Sequence, residues 1–179
     1  MKEDLVHIAL LTACVLLVPL VAMQFTDQVQ WDLFDFLLMG SLLFGIGLAY
    51  VLLARKAGTP VYRAAVGTAL ATVLLLIWIN AAVGIIGDGP VSSLYLGVVA
   101  VLFIGAAVAR FKPRGMVRAL CATALAQALV PVIALILGVP DFSPGVLPVL
   151  GLNAFFVLLF VGSAWLFLLA SVAHPILKG

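Results

Sequence analysis

Charge is what this sequence has least of. Nine Lys or Arg and seven Asp or Glu make up 9% of 179 residues, where a soluble domain of this size carries about 25%. A water-soluble fold is excluded on that ground. The formal net charge is only +2 and there are two cysteines, so a nucleic-acid binder and a disulfide scaffold are excluded as well. No polar low-complexity run is present to make a disordered tail. There is no zinc-type His spacing, no Cys-x-x-Cys, no Gly-x-Ser-x-Gly and no phosphate-cradling glycine loop. The chain is therefore expected to be no enzyme, to carry no cofactor or metal, and to bind no nucleic acid.

What the sequence does have is apolar length. Hydrophobic residues make up 66% of the chain. A hydrocarbon core of roughly 30 Å needs about 20 apolar residues in helix, and six stretches qualify: Leu5–Met23, Leu33–Leu53, Tyr62–Ile86, Ser93–Ala109, Met116–Leu137 and Leu147–Ala173. The fourth is the shortest and the sixth the longest, so the fourth is expected to be thin and the sixth to tilt. The fold expected is all-α: one transmembrane domain over 1–179, a bundle of six transmembrane helices arranged as three hairpins. The first stretch is read as a helix and not a secretion signal. Its start mixes Lys2 with Glu3 and Asp4, and Leu20-Val21-Ala22-Met23 is a poor cleavage site.

Charge placement gives the orientation. With a cytoplasmic N-terminus, Lys2, Arg55, Lys56, Arg63, Arg110, Lys112, Arg114, Arg118 and Lys178 all fall on the inner side. The outer loops hold only acids: Asp27, Asp32 and Asp35, then Asp88, then Asp141. Basic residues near spans stay inside, so both termini are expected in the cytoplasm. The inner loops touch anionic headgroups as general anchoring, the run from Phe111 to Gly115 being too short for a marked lipid-recognition cluster.

Two internal matches stand out. Arg63-Ala64-Ala65-Val66-Gly67-Thr68-Ala69-Leu70-Ala71 parallels Arg118-Ala119-Leu120-Cys121-Ala122-Thr123-Ala124-Leu125-Ala126, and Leu17-Val18-Pro19-Leu20 parallels Leu129-Val130-Pro131-Val132. They imply either a parallel hairpin repeat of about 55 residues or the shared composition of Ala- and Leu-rich helices.

The run Trp78-Ile79-Asn80-Ala81-Ala82-Val83-Gly84-Ile85-Ile86-Gly87, together with Phe34-Asp35-Phe36-Leu37, Ala54-Arg55-Lys56, Ala109-Arg110-Phe111-Lys112-Pro113-Arg114-Gly115 and Gly162-Ser163-Ala164-Trp165-Leu166-Phe167, resembles a group of small uncharacterised bacterial membrane proteins. The resemblance implies a multi-pass protein of the bacterial inner membrane and adds no activity or site.

Candidate site residues are uncharged, because no Asp, Glu, Lys or Arg lies deep in any stretch; that disfavours a proton pump, voltage sensor or carboxylate-coupled carrier. Gln127 falls about 11 residues into helix five, roughly 16 Å deep, and Pro131 four residues on deprives its carbonyl of a helical donor. The pair makes either a polar midplane patch of the kind that binds solute or an ordinary patched kink. Pro19 repeats this more weakly in helix one. Trp78 and Asn80, with Asn153, Asp35 and Tyr95, form either an outer polar vestibule or interface aromatics and interhelical glue. Asp32 and Asp35 read more simply as a helix N-cap and first-turn acid. Cys14 and Cys121 read as small packing residues. Ser41, Gly45 and Ala49, Gly67 and Ala71, and Gly105 and Ala109 form small-residue stripes for helix packing. His7 and His174 fall near the inner interface.

Two functions follow as expectations. The first is a structural or accessory membrane protein that binds a membrane-protein partner, a second copy of itself, or lipid. The alternative is a passive permease or channel for a small neutral solute, with Gln127, Asn80 and Asn153 along its path.

Overall fold

In the computed structural model the chain is described over residues 2–26, 29–55, 59–83, 85–86, 93–137 and 145–176, without the side chains of 83 and 173–176. Asp27, Lys56, Asp88, Asp141, Lys178 and the His174 side chain, which enter the readings above, lie outside the described residues. Among the described residues six α-helices follow one another: α1 (Lys2–Phe25), α2 (Leu33–Arg55), α3 (Pro60–Val83), α4 (Leu94–Ala109), α5 (Pro113–Ile136) and α6 (Val146–Ile176). Five are long and apolar enough to cross a membrane, and α4, with 16 residues, is the short one. At 1.5 Å per residue α4 reaches only about 24 Å. The protein is an all-α, multi-pass helical membrane protein.

Helix ends differ from a count of apolar residues where capping chemistry decides. α5 starts at Pro113 and not Met116, since proline suits the first helical position, where its missing N–H costs nothing. α1 starts at Lys2, with Glu3 and Asp4 in its first turn, where acids complement the helix dipole. α3 stops at Val83 and not Ile86. Gly84 and Gly87 flank Ile85 and Ile86 and weaken helix there, and the two isoleucines are buried outside the helix, 4% and 1% exposed.

The chain divides into two compact units, 1–55 and 56–179. In the first, α1 and α2 form an antiparallel hairpin. Gly47 lets the helices approach: a Cβ there would stand 2.8 Å from Ile8 Cγ2, and one at Gly40 would stand 3.2 Å from Leu16 Cδ1. At the open end of the hairpin Arg55 pairs with Asp4. The start of α2 is a capping box with a hydrophobic staple. The Asp35 N–H donates to Asp32 Oδ1 at 2.9 Å, the Asp32 N–H donates to Asp35 Oδ2 at 3.0 Å, and Trp31 meets Phe36 edge to face at 5.3 Å.

The second unit contains α3 to α6. Its main packing runs α3 on α6, α6 on α5 and α5 on α4, while α3 and α4 touch more lightly. Neighbours are antiparallel, as cross-helix contacts require. The Ser163 hydroxyl donates to the Ala65 carbonyl at 2.9 Å, Tyr62 stacks edge to face on Phe167 at 5.2 Å, and a Cβ at Gly105 would lie 2.8 Å from Ala119 Cβ. The buried residues of α6 include Val149, Asn153, Phe156, Phe160, Ser163 and Phe167, and those of α5 include Met116, Leu120, Thr123, Gln127, Val130 and Ala134. Both follow alternating steps of four and three, the 3.5-residue period of left-handed helix bundles. Within the two similar stretches, Ala65 and Ala69 of α3 are buried, as are Leu120 and Ala124 of α5, 55 residues farther on.

The α4–α5 connection is a tight turn of the Schellman type. The Arg110 N–H donates to the Ala107 carbonyl at 3.0 Å and the Phe111 N–H to the Ala106 carbonyl at 3.2 Å. Arg110 and Phe111 are both left-handed, with φ of 49° and 57°. Such conformations cost a non-glycine residue roughly 1–2 kcal/mol each. The Tyr62 hydroxyl holds the turn by donating to the Phe111 carbonyl at 2.8 Å.

Candidate functional site

The most polar place inside the second unit is made by three helices. Tyr95 from the start of α4, Gln127 from α5 and Asn153 from α6 are 2%, 0% and 2% exposed. The Tyr95 hydroxyl donates to Asn153 Oδ1 at 3.1 Å, Gln127 Nε2 donates to the same oxygen at 2.9 Å, and Asn153 Nδ2 donates to the Val149 carbonyl at 2.8 Å.

The amide orientations follow from this connectivity. Val149 offers an acceptor, so Asn153 must turn its NH2 toward it and its oxygen toward α4 and α5. That oxygen requires a donor from Gln127, so Gln127 in turn must present its NH2. The remaining Gln127 Oε1 is buried and meets no donor among the described residues. Pro131, also buried in α5, has no N–H to give the Gln127 backbone carbonyl. Gln127 thus has one buried side-chain acceptor without a donor among the described residues, at a cost of about 1–3 kcal/mol, beside a backbone carbonyl whose usual i+4 donor is replaced by proline.

Of the residues singled out from sequence, the structure joins Gln127 to Asn153 and Tyr95. Their expected separation in depth does not hold. Gln127 lies about 14 Å from the end of α5 and Asn153 about 10 Å from the adjoining start of α6, a difference that their side chains span. Trp78 and Asn80 are half-buried on α3, each with an interaction of its own, and neither enters the bonds that join the three. Asp35 is committed to the α2 capping box. Pro19 is buried in a continuous α1. Cys14 and Cys121 are both free and exposed. His7 bonds its own helix, Nδ1 donating to the Glu3 carbonyl at 2.6 Å, and no metal-holding cluster occurs among the described residues.

A shallow groove of about 380 Å³ lies on the outer face of α5 and α6, lined by Ala128, Pro131, Asn153, Ala154 and Val157 among others. It is apolar except for Asn153, whose amide is already bonded inward. The chemistry available at the cluster is hydrogen bonding by two neutral amides and a phenol, which suits joining helices inside a membrane.

No protein-family model, curated protein or solved structure matches this chain.

Proposed function

We propose that this chain is a multi-pass protein of the bacterial inner membrane, with both termini in the cytoplasm, that acts as an accessory or structural component by engaging a membrane partner through its α1–α2 hairpin. The observation that carries this reading is how little the hairpin buries. Among the described residues α1 and α2 bury only Ile8, Pro19 and Met39, whereas α5 alone buries a full seam. Ser41 and Gly45 are exposed, and a Cβ at Gly45 would meet nothing within 4 Å. Small residues let helix backbones approach closely in lipid, and the glycines that serve α1 are the other two, Gly40 and Gly47.

The test is Gly45→Leu in protein purified in mild detergent. A complex, with a second copy or another membrane protein, is expected for the natural sequence and is expected to be lost in the variant, while the helical circular dichroism stays unchanged. A monomer without any fixed companion, or a complex indifferent to Gly45→Leu, overturns the reading.

The permease alternative draws on one observation, the unsatisfied Gln127 Oε1, which would accept a hydrogen bond from a neutral solute. Against it, Tyr95, Gln127 and Asn153 are closed on one another. Flux of small neutral solutes into liposomes that falls in Gln127→Leu would favour it, and equal flux in both proteins would remove it.

A further inference from the structure

The basic residues of the two units are treated differently. Arg55 of the first has a carboxylate partner, Asp4. In the second, Arg63, Arg110, Lys112, Arg114 and Arg118 are all exposed, and none makes an ion pair with any described residue. Nor does the sequence offer one nearby, since it has no acidic residue between Asp35 and Asp88 or between Asp88 and Asp141.

The fold gathers these five charges at one end. Tyr62, bonded to the Phe111 carbonyl at 2.8 Å, sets Arg63 of α3 beside the α4–α5 turn. The turn itself carries Arg110 and Lys112, and the first two turns of α5 carry Arg114 and Arg118. These last two are four residues apart, on one helix face, a spacing at which like charges destabilise a helix. A bound anion removes that repulsion. Next to the charges the surface turns apolar: Phe111 sits between Arg110 and Lys112 at 39% exposure, and Phe103, Ile104 and Val108 of α4 are 59%, 65% and 81% exposed. Unpaired cations at a helix end, an aromatic at the boundary and an exposed apolar face along the adjoining span together match one kind of molecule, an amphiphile with a negative head.

We propose that this end of the α3–α6 unit binds an anionic phospholipid, its phosphate held among Arg63, Arg114, Arg118 and the basic turn, and its acyl chains along α4. The inference needs only that the chain lies in a membrane and does not depend on a partner for the α1–α2 hairpin.

The experiment is native mass spectrometry of the full-length protein in neutral detergent, with phosphatidylglycerol, cardiolipin, phosphatidylcholine or inorganic phosphate added. Retention of the two anionic lipids over phosphatidylcholine is expected, weakening as salt is raised. With each basic residue near a headgroup contributing about a fivefold gain in affinity, Arg63→Gln should lose about fivefold and Arg114→Gln with Arg118→Gln about thirtyfold. Arg114→Lys with Arg118→Lys should keep most of the binding. Equal retention of neutral and anionic lipid overturns the proposal, as does a double glutamine variant that binds like the natural protein. So does displacement of the lipid by inorganic phosphate alone, which would make the site one for a free anion.

Discussion

The hydrogen bonds among Tyr95, Gln127 and Asn153 are unequal, and replacing the two amides with leucine should expose the inequality. Asn153→Leu removes the only oxygen that accepts from both Tyr95 and Gln127 Nε2. Two buried donors are then stranded, at about 1–3 kcal/mol each, and the expected loss is at least about 2 kcal/mol. Gln127→Leu removes one donor, but Asn153 Oδ1 keeps the Tyr95 hydroxyl. It also removes the buried Oε1 that meets no donor. A side-chain hydrogen bond inside a membrane protein contributes about 0.6 kcal/mol on average, less than an unsatisfied acceptor costs, so Gln127→Leu should be neutral or stabilising by up to about 1 kcal/mol. The two leucines combined should cost less than Asn153→Leu alone, because the stranded Gln127 donor is gone; that departure from additivity is the signature of direct contact. Reversible unfolding in mixed detergent micelles, followed by circular dichroism, measures all three variants. If Gln127→Leu destabilises as much as Asn153→Leu, then Gln127 Oε1 has a donor in the native protein and the two amides contribute equally. Should Gln127→Leu keep the fold, its effect on solute flux can be read as an effect on a path.

Three further outcomes are expected from the same unfolding assay. At Gly47 a Cβ would meet Ile8 Cγ2 at 2.8 Å, whereas at Gly45 it would meet nothing within 4 Å; Gly47→Val should therefore cost about 1–3 kcal/mol, while Gly45→Ala should be neutral or stabilising by up to about 1 kcal/mol. At Gly115 a Cβ would press on Ala109, 2.7 Å from its Cβ and 3.0 Å from its Cα, and since backbone cannot swing aside, Gly115→Ala should cost about 1–3 kcal/mol. Arg110, at φ 49°, holds the left-handed position after α4 that glycine takes without steric cost, so Arg110→Gly should stabilise by up to about 1 kcal/mol.

The parts of the fold legible in sequence are those where a polar or conformationally special residue has one physical role. Asp32 and Asp35 announce the start of α2 as an N-cap and a first-turn acid, and they form the reciprocal capping box that this pattern describes. Six apolar stretches give six helices, with the fourth shortest and the sixth longest. The packing seams are another matter. In a water-soluble helix the buried stripe is apolar against a polar face, but here both faces are apolar, and the exposed Leu125, Leu158 and Trp165 look no different in sequence from the buried Leu120, Phe156 and Phe160. The residual signal is polarity, since a lipid-facing surface rejects amides and hydroxyls. Thr72, Thr123, Gln127, Asn153 and Ser163 are all buried, and they mark the seams of three helices. Read at 3.5-residue steps from those five positions, the sequence would have placed Leu120, Phe156 and Phe160 inside.

Distance between segments is what a one-dimensional reading misplaces most, and both polar features of the second unit show it. Counting depth along each helix by itself puts Gln127 near the midplane and Asn153 toward the outer end, yet measured from the adjoining ends of α5 and α6 they differ by only about 3 Å, which their side chains span to bring the two amides to 2.9 Å. The basic run from Phe111 to Gly115 looks too short to recognise a headgroup because Arg63 lies far away in sequence. One hydroxyl, that of Tyr62, cancels the distance by bonding the Phe111 carbonyl at 2.8 Å. Tyr62→Phe would remove only that bond, leaving the ring on Phe167 and every charge in place. If the cations act together because the fold holds them together, this variant should weaken anionic-lipid binding in the same direction as Arg63→Gln. If each acts alone at the surface, it should have no effect.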